Sequence, residues 1–132
     1  MIVVDASTVA VAVTDDGVEG NAARNRLLED PDLHAPHLID LEVISVLRGL
    51  RRAGRVEPER AALALEDLSE LPLVRYPHWP LAARIWELRA NLSPYDASYV
   101  ALAENLDCAL LTGDHRIARA AGVHCEVEIL DR

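Results

Sequence analysis

Phenylalanine and lysine are both missing from this chain of 132 residues. Without Phe, and with only two Trp and three Tyr, the core must be built from Leu, Val, Ile and Ala. Without Lys, a receiver-type phosphoacceptor domain is excluded, since such a site keeps a lysine late in the chain. Cysteine is nearly missing as well. Cys108 and Cys125 lie in or beside apolar segments with no C-x-x-C spacing, which excludes a disulfide scaffold and points to a reducing, cytoplasmic setting. No apolar run is long enough to span a bilayer, and MIVVDAST has no basic n-region, so neither a membrane span nor a signal peptide is expected. Positive charge is also scarce: 13 Arg face 22 Asp and Glu, for a formal charge of -9. Nucleic acid is therefore not bound by the overall field, which leaves a local basic patch, a metal site or a cationic protein partner. The length rules out a TIM barrel and suits one domain over residues 1–132. With 51% hydrophobic and 27% charged residues, the chain is not a disordered tail.

Short apolar segments alternate with helical ones. Ile2 to Val4 is a β-branched run suited to a central strand buried on both faces. Leu33 to Ala35, Leu71 to Tyr76 and Cys108 to Leu111 are further strands, and Glu126 to Leu130 alternates as an edge strand does. Ser7 and Thr8 can open a turn or helix, and Val9 to Val13 reads as a brief helix. Asn21 to Glu29 is another helix, with Leu27 and Leu28 inward. PHLIDLEVISVLRGLRRAG is a longer one, opened by Pro36 and closed by Gly54. Its inward stripe is Ile39, Val43, Val46, Leu47 and Leu50; Arg48, Arg52 and Arg55 share a basic face. Pro58 to about Leu68 is helical, and a helix from Pro80 carries Leu81, Ile85, Leu88 and Leu92 at helical period. Ser93-Pro94 marks a helix start, with Ser as N-cap, for a helix running to about Leu106; Arg116 to Ala121 is a last short one. This alternation is an α/β sandwich with a mostly parallel sheet. Ligands bind such sheets beyond the C-terminal strand ends, near the switch in strand order.

Four carboxylates gain interest from that rule. Asp5 ends the first strand, and Asp114 follows the fourth after Thr112 and Gly113. If those strands are parallel neighbours, both acids project from one sheet edge. Each is also an ordinary turn or capping Asp when taken singly. Asp96 is the third residue of the helix opened by Ser93-Pro94, where amides and dipole favour a carboxylate. It shares a face with Val100 and Ala103, near the buried side. Glu42 sits in the apolar stretch LIDLEVISVL and needs a partner, because an unpaired buried charge is expensive; Asp40 can point to water more easily. Either an arginine or a cation shared with the three aspartates would serve. Four carboxylates in one cleft repel unless neutralised, and hard divalent cations such as Mg²⁺ or Mn²⁺ take oxygen ligands and keep waters. Such an ion can activate water and hold phosphate oxygens, so phosphodiester cleavage fits this composition.

The segments VVDAS, PHLIDLEVISVLRG, YDASYVALAE and LLTGDHRIARAAG, in this order and covering essentially the whole chain, resemble a PIN-domain ribonuclease of the VapC toxin type. The resemblance implies a PIN-like three-layer sandwich, with a five-stranded, mostly parallel sheet flanked by helices and an acidic pocket at its C-terminal edge. It implies a Mg²⁺- or Mn²⁺-dependent endoribonuclease leaving 5′-phosphate and 3′-hydroxyl ends. By the same resemblance, Asp5, Glu42, Asp96 and Asp114 are the catalytic and metal-binding acids. Thr112 and Ser7 are supporting hydroxyls. Some relatives carry another Asp shortly after the position of Asp114; here His115, Arg116 and Ile117 follow. Also implied are a VapB-type antitoxin, a homodimer and a toxin–antitoxin hetero-oligomer.

Arg116 could bind the RNA backbone or pair with a nearby carboxylate, and His115 is a further candidate by proximity. Arg48, Arg51, Arg52 and Arg55 could form a phosphate-contacting strip, a solvated face or an antitoxin contact. Trp79, Trp86, Tyr95 and Tyr99 could stack on bases; packing suits Trp86 better, and Trp79 is the interface candidate. Two other function classes remain. A covalent phosphatase would need a second Asp two residues after the nucleophilic one, where this chain has Asp5-Ala6-Ser7. A metal-dependent phosphoesterase acting on another substrate, or a binding module that lost hydrolysis, keeps the same acids and differs only in turnover.

Overall fold

The computed structural model describes residues 1–130. In chain order the elements are β1 (Ile2–Val4), α1 (Ala6–Thr14), α2 (Val18–Leu28), β2 (Leu33–Pro36), α3 (Leu38–Arg52), α4 (Pro58–Glu70) and β3 (Leu73–Tyr76). A 3₁₀ turn (Trp79–Leu81) then leads to α5 (Ala82–Glu87), α6 (Pro94–Leu106), β4 (Ala109–Thr112), α7 (His115–Arg119) and β5 (Val127–Ile129). All five strands are parallel, in the order β3-β2-β1-β4-β5. The expected α/β fold, with helices flanking a five-stranded sheet, is what the chain adopts. Among the described residues no helix is long and apolar enough to cross a membrane.

β1 lies at the centre, between β2 and β4, so the strand order reverses beside it. Its register sets Val3 against Leu110 and Val4 against Leu111, and the Asp5 amide donates to the Leu111 carbonyl at 3.2 Å. Val3, Val4, Leu110 and Leu111 are wholly buried, as near-continuous apolar runs should be in a sheet covered on both faces. Right-handed crossovers in this strand order put α1 to α4 on one face and α5 to α7 on the other.

α6 lies against β1, β2 and β4. Every residue from Ala97 to Ala103 is buried, and the alanines let the helix approach the sheet closely. Ser93 is its N-cap, accepting from the Asp96 amide at 3.1 Å, and Pro94 is its first residue. Gly54, with φ +69°, ends α3 in the left-handed conformation that a side chain resists.

Some expected placements differ. On α2 the inward positions are Gly20, Ala23 and Leu27, so Leu28, one helical step of about 100° further round, is exposed. On α3 only Ile39, Val43 and Leu47 are buried; this narrow stripe leaves Val46 exposed and Leu50 half-buried. Arg55 lies beyond the helix end, off the face of Arg48 and Arg52. The helix from Pro80 does not reach Leu92. Pro80 sits in the 3₁₀ turn, α5 has six residues, and the chain continues in turns that still bury Leu88 and Leu92. Trp86 is therefore not packed: it is 66% exposed, with the Arg89 guanidinium 4.3 Å from its ring centre.

Candidate active site

The C-terminal edge of the sheet, beside the β1/β4 switch, gathers the four acids. Asp5 is the N-cap of α1 and is 6% exposed. Its Oδ1 accepts from the Ser7 hydroxyl (2.7 Å), the Thr8 amide (3.1 Å) and the Thr8 hydroxyl (3.2 Å), while Oδ2 accepts from the Thr112 hydroxyl. The same hydroxyls hold the neighbouring turn. Thr112 Oγ1 accepts from the Asp114 amide at 3.0 Å, and Ser7 Oγ accepts from the Gly113 amide at 3.1 Å. Ser7 and Thr112 thus lock the β1–α1 and β4–α7 turns together and orient Asp5 between them.

Asp114 is the N-cap of α7, accepting from the Arg116 amide at 2.9 Å. The Arg116 guanidinium straddles it, with Nη2 2.6 Å from Oδ2 and Nε 3.1 Å from Oδ1. Asp96, half-buried, is the third residue of α6. Glu42 comes over from α3, half-buried, and its Oε1 accepts from the Tyr99 hydroxyl at 2.6 Å.

Electrostatics tie these groups into one field. Burial pushes Asp5 above the usual carboxylate range, against the pull of its four donors. Glu42 is raised first by burial and then by the negative charges of Asp96 and Asp5, while Tyr99 opposes the rise. Asp96 is raised by burial and by the charge of Asp114. Asp114 alone is lowered, because Arg116 hydrogen-bonds to it. Among the described residues Asp5, Glu42 and Asp96 form no ion pair.

Asp40 differs from its expected place. It does not turn to water: it forks with Arg75 on β3, at 2.7 and 2.9 Å. Among the described residues no three of His, Cys, Asp and Glu close into a ready-made metal cluster. The donor set is nonetheless all oxygen, loosely spaced and short of positive charge. That suits a hard cation that keeps part of its water shell better than it suits zinc.

Over residues 2–123 the chain matches the family described as PIN domain. It is 44% identical to VapC ribonuclease Mb0985 of Mycobacterium bovis over 132 residues, all of both chains. It is 43% identical to Ribonuclease VapC1 of Mycobacterium tuberculosis over 129 residues, 97% of this chain and 96% of that one. The chain belongs to the PIN-domain family, in its VapC branch. In fold it is similar to a chain of the crystal structure of VapBC2 from Rickettsia felis bound to a DNA fragment from their promoter. The TM-score is 0.70 at 13% identity, over 99% of this chain and 100% of that one.

Not every PIN-domain candidate residue reaches the cleft. Exposed His115, the first residue of α7, acts electrostatically on Asp114 and lies at the rim with Arg116. Arg48 and Arg52 are exposed on α3, six and ten residues beyond Glu42, hence about 9 and 15 Å further along the helix axis. Trp79 and Tyr95 are exposed beside a groove of about 980 Å³ that borders the residues next to Glu42 and Asp96. Thr8 and Tyr99 belong to the site; Tyr99, a candidate for base stacking, is 2% exposed and meets Glu42 instead. A signal for Tyr99 was available: a tyrosine on the buried face of α6, within the run Ala97 to Ala103, must find a partner for its hydroxyl, and Glu42 was the apolar-context acid in search of one.

Proposed function

We propose that the chain hydrolyses RNA phosphodiester bonds as a Mg²⁺- or Mn²⁺-dependent endoribonuclease, acting as a single domain over residues 1–132, and that it is the toxin of a toxin–antitoxin pair. The observation that carries this reading is the gathering of Asp5, Glu42, Asp96 and Asp114 at the C-terminal sheet edge, where among the described residues Asp5, Glu42 and Asp96 form no ion pair. Asp5, Asp96, Asp114 and Glu42 would hold the ion. When bound, the ion supplies positive charge against the developing negative charge on the phosphoryl and 3′-oxygens and makes water a stronger nucleophile.

The chain's own residues do the rest. Ser7, Thr8 and Thr112 keep Asp5 in one orientation, so the site needs little reorganisation when substrate arrives. Glu42, anchored by the Tyr99 hydroxyl, ligates the ion or helps orient the attacking water. Arg116, 82% exposed in its side chain, releases Asp114 to the cation and turns to the phosphate backbone; His115 sits beside it. Arg48 and Arg52 contact RNA only outside the cleft. With a net charge of -9, RNA must be met by these local cations.

A cognate VapB-type antitoxin is the protein partner this family branch implies, together with a homodimer and a hetero-oligomer of both chains. The names VapC ribonuclease and VapBC2 among the similar proteins support that reading.

The test uses antitoxin-free protein and total cellular RNA, with Mg²⁺, with Mn²⁺ and with EDTA, mapping new 5′ ends by sequencing. Discrete ends that need the metal and vanish in folded Asp5→Asn and Asp96→Asn proteins are expected. Intact RNA after incubation with folded, metal-supplied wild type would overturn the reading.

A further inference from the structure

Among the described residues Tyr99 is the largest fully buried side chain, and its hydroxyl lies at the acidic site. It is 2% exposed and lies on the helix face that α6 turns into the core, three residues after Asp96. Its hydroxyl donates to Glu42 Oε1 at 2.6 Å, a distance typical of a charge-assisted O–H···O bond. One hydroxyl therefore ties the side chain of Glu42 from α3 to the helix that carries Asp96.

That position answers a mechanical problem. Glu42 has a flexible side chain and is repelled by both Asp96 and Asp5. Left alone, it would swing toward water and away from the other acids. Tyr99 cannot follow it, since its ring is packed on all sides. We propose that Tyr99 is the positioning residue of the acidic cleft: its buried hydroxyl anchors Glu42 Oε1, so that the other oxygen, Oε2, is held ready for a divalent cation before any cation arrives. This rests on the reading of Glu42 as a cation-holding residue. The aromatic ring is the means rather than the agent: a phenylalanine would fill the same volume and lose only the donor.

The test is Mn²⁺ affinity of the whole chain without antitoxin or RNA, read by electron paramagnetic resonance of free Mn²⁺, for wild type, Tyr99→Phe, Glu42→Gln and the double variant. Circular dichroism and a urea midpoint check the fold of each. Tyr99→Phe is expected to weaken Mn²⁺ binding about ten-fold, the usual lower bound for removing a hydrogen bond to a metal ligand. In the Glu42→Gln background it should add less than about two-fold, because the two groups act as one unit. Wild-type affinity in Tyr99→Phe, with Glu42→Gln weakened, would overturn the positioning role and leave Glu42 standing. Full additivity in the double variant would overturn it too. Unchanged affinity in Glu42→Gln would remove the underlying reading and the positioning role with it. Should Tyr99→Phe fail to fold, Glu42→Asp withdraws the carboxylate from the phenol by one methylene in an otherwise native chain. The same ten-fold weakening is expected there, and wild-type affinity in that variant would overturn the proposal.

Discussion

Asp40 and Glu42 lie two residues apart on α3 and have opposite partners. Asp40 turns toward the β3 edge, where Arg75 grips both of its oxygens at 2.7 and 2.9 Å. Glu42 turns toward the β1/β4 switch, where it finds a neutral phenol and two like charges. The pattern extends across the molecule. Glu104 is forked by Arg84 at 2.7 and 3.1 Å, Asp16 by Arg60 at 3.0 Å on each oxygen, and Glu128 meets Arg26 at 2.8 Å. Arg60 holds Asp16 below the usual carboxylate range. These four acids, Asp40, Glu104, Asp16 and Glu128, are each given an arginine. The acids of the cleft are given hydroxyls and amides, which orient a carboxylate without neutralising it. Asp114 stands between the two kinds, capped by backbone yet covered by an exposed and therefore displaceable Arg116. An acidic cleft maintained in this way stores repulsion that a bound cation would relieve.

Several substitutions would break or sharpen that contrast. The largest effect is expected on turnover. Asp5→Asn or Asp96→Asn should each lower metal-dependent RNA cleavage by about 10²-fold or more, measured as initial rates on one defined substrate, whereas Asp40→Asn should leave the rate within about three-fold once folding is controlled. Next comes stabilisation by metal. Mg²⁺ at a hundred times its dissociation constant should stabilise wild type by about 2.7 kcal/mol in urea unfolding, and the gain should be much reduced in Asp96→Asn. Equal stabilisation of both proteins would break the link between the cleft and the cation.

Asp40→Asn should cost about 1–2 kcal/mol, between the values for exposed and buried pairs, because it strands a half-buried guanidinium. Glu42→Gln should do the reverse. The folded-state proton affinity of Glu42 is raised by burial and like charge, so the native state binds more protons than the unfolded chain over the interval above pH 4.5. Stability falls as pH rises from about 4.5 through the raised folded-state value. Removing the charge should therefore stabilise the metal-free protein at pH 7, by at most about 1 kcal/mol given the screening of a half-exposed group, with no gain below about pH 4. A thermal unfolding series across pH checks the sign.

The smallest effect is expected from Arg116→Ala, within about 0.5 kcal/mol of wild-type stability. RNA binding by that variant should lose about one unit from its log-salt slope if Arg116 makes one phosphate contact.

Much of this was legible in order and spacing. A β-branched run ending in Asp5, a Ser-Pro helix start three residues before Asp96, and Thr-Gly-Asp after an apolar strand are local signals, because caps and strand ends are set by neighbours in sequence. The roles of Ser7 and Thr112 came from the family resemblance instead. Helical periodicity was less reliable where a helix is short or its buried stripe narrow. Trp86, Val46 and Leu28 face outward because burial depends on what stands opposite, and the chain does not write that down locally.

The sequence by itself determined the alternation of strands and helices, the identity of the four acids and the scarcity of positive charge, since each depends on residue type and short-range spacing. Only the tertiary structure decided which acids far along the chain receive an arginine. Arg75 lies 35 residues from Asp40, and Tyr99 lies 57 from Glu42. Those pairings arise from the parallel register β3-β2-β1-β4-β5 and the burial of α6 against it. Whether a carboxylate is neutralised or merely oriented is set by what folding brings within about 3 Å of it, and over such separations in the chain no local pattern records that distance.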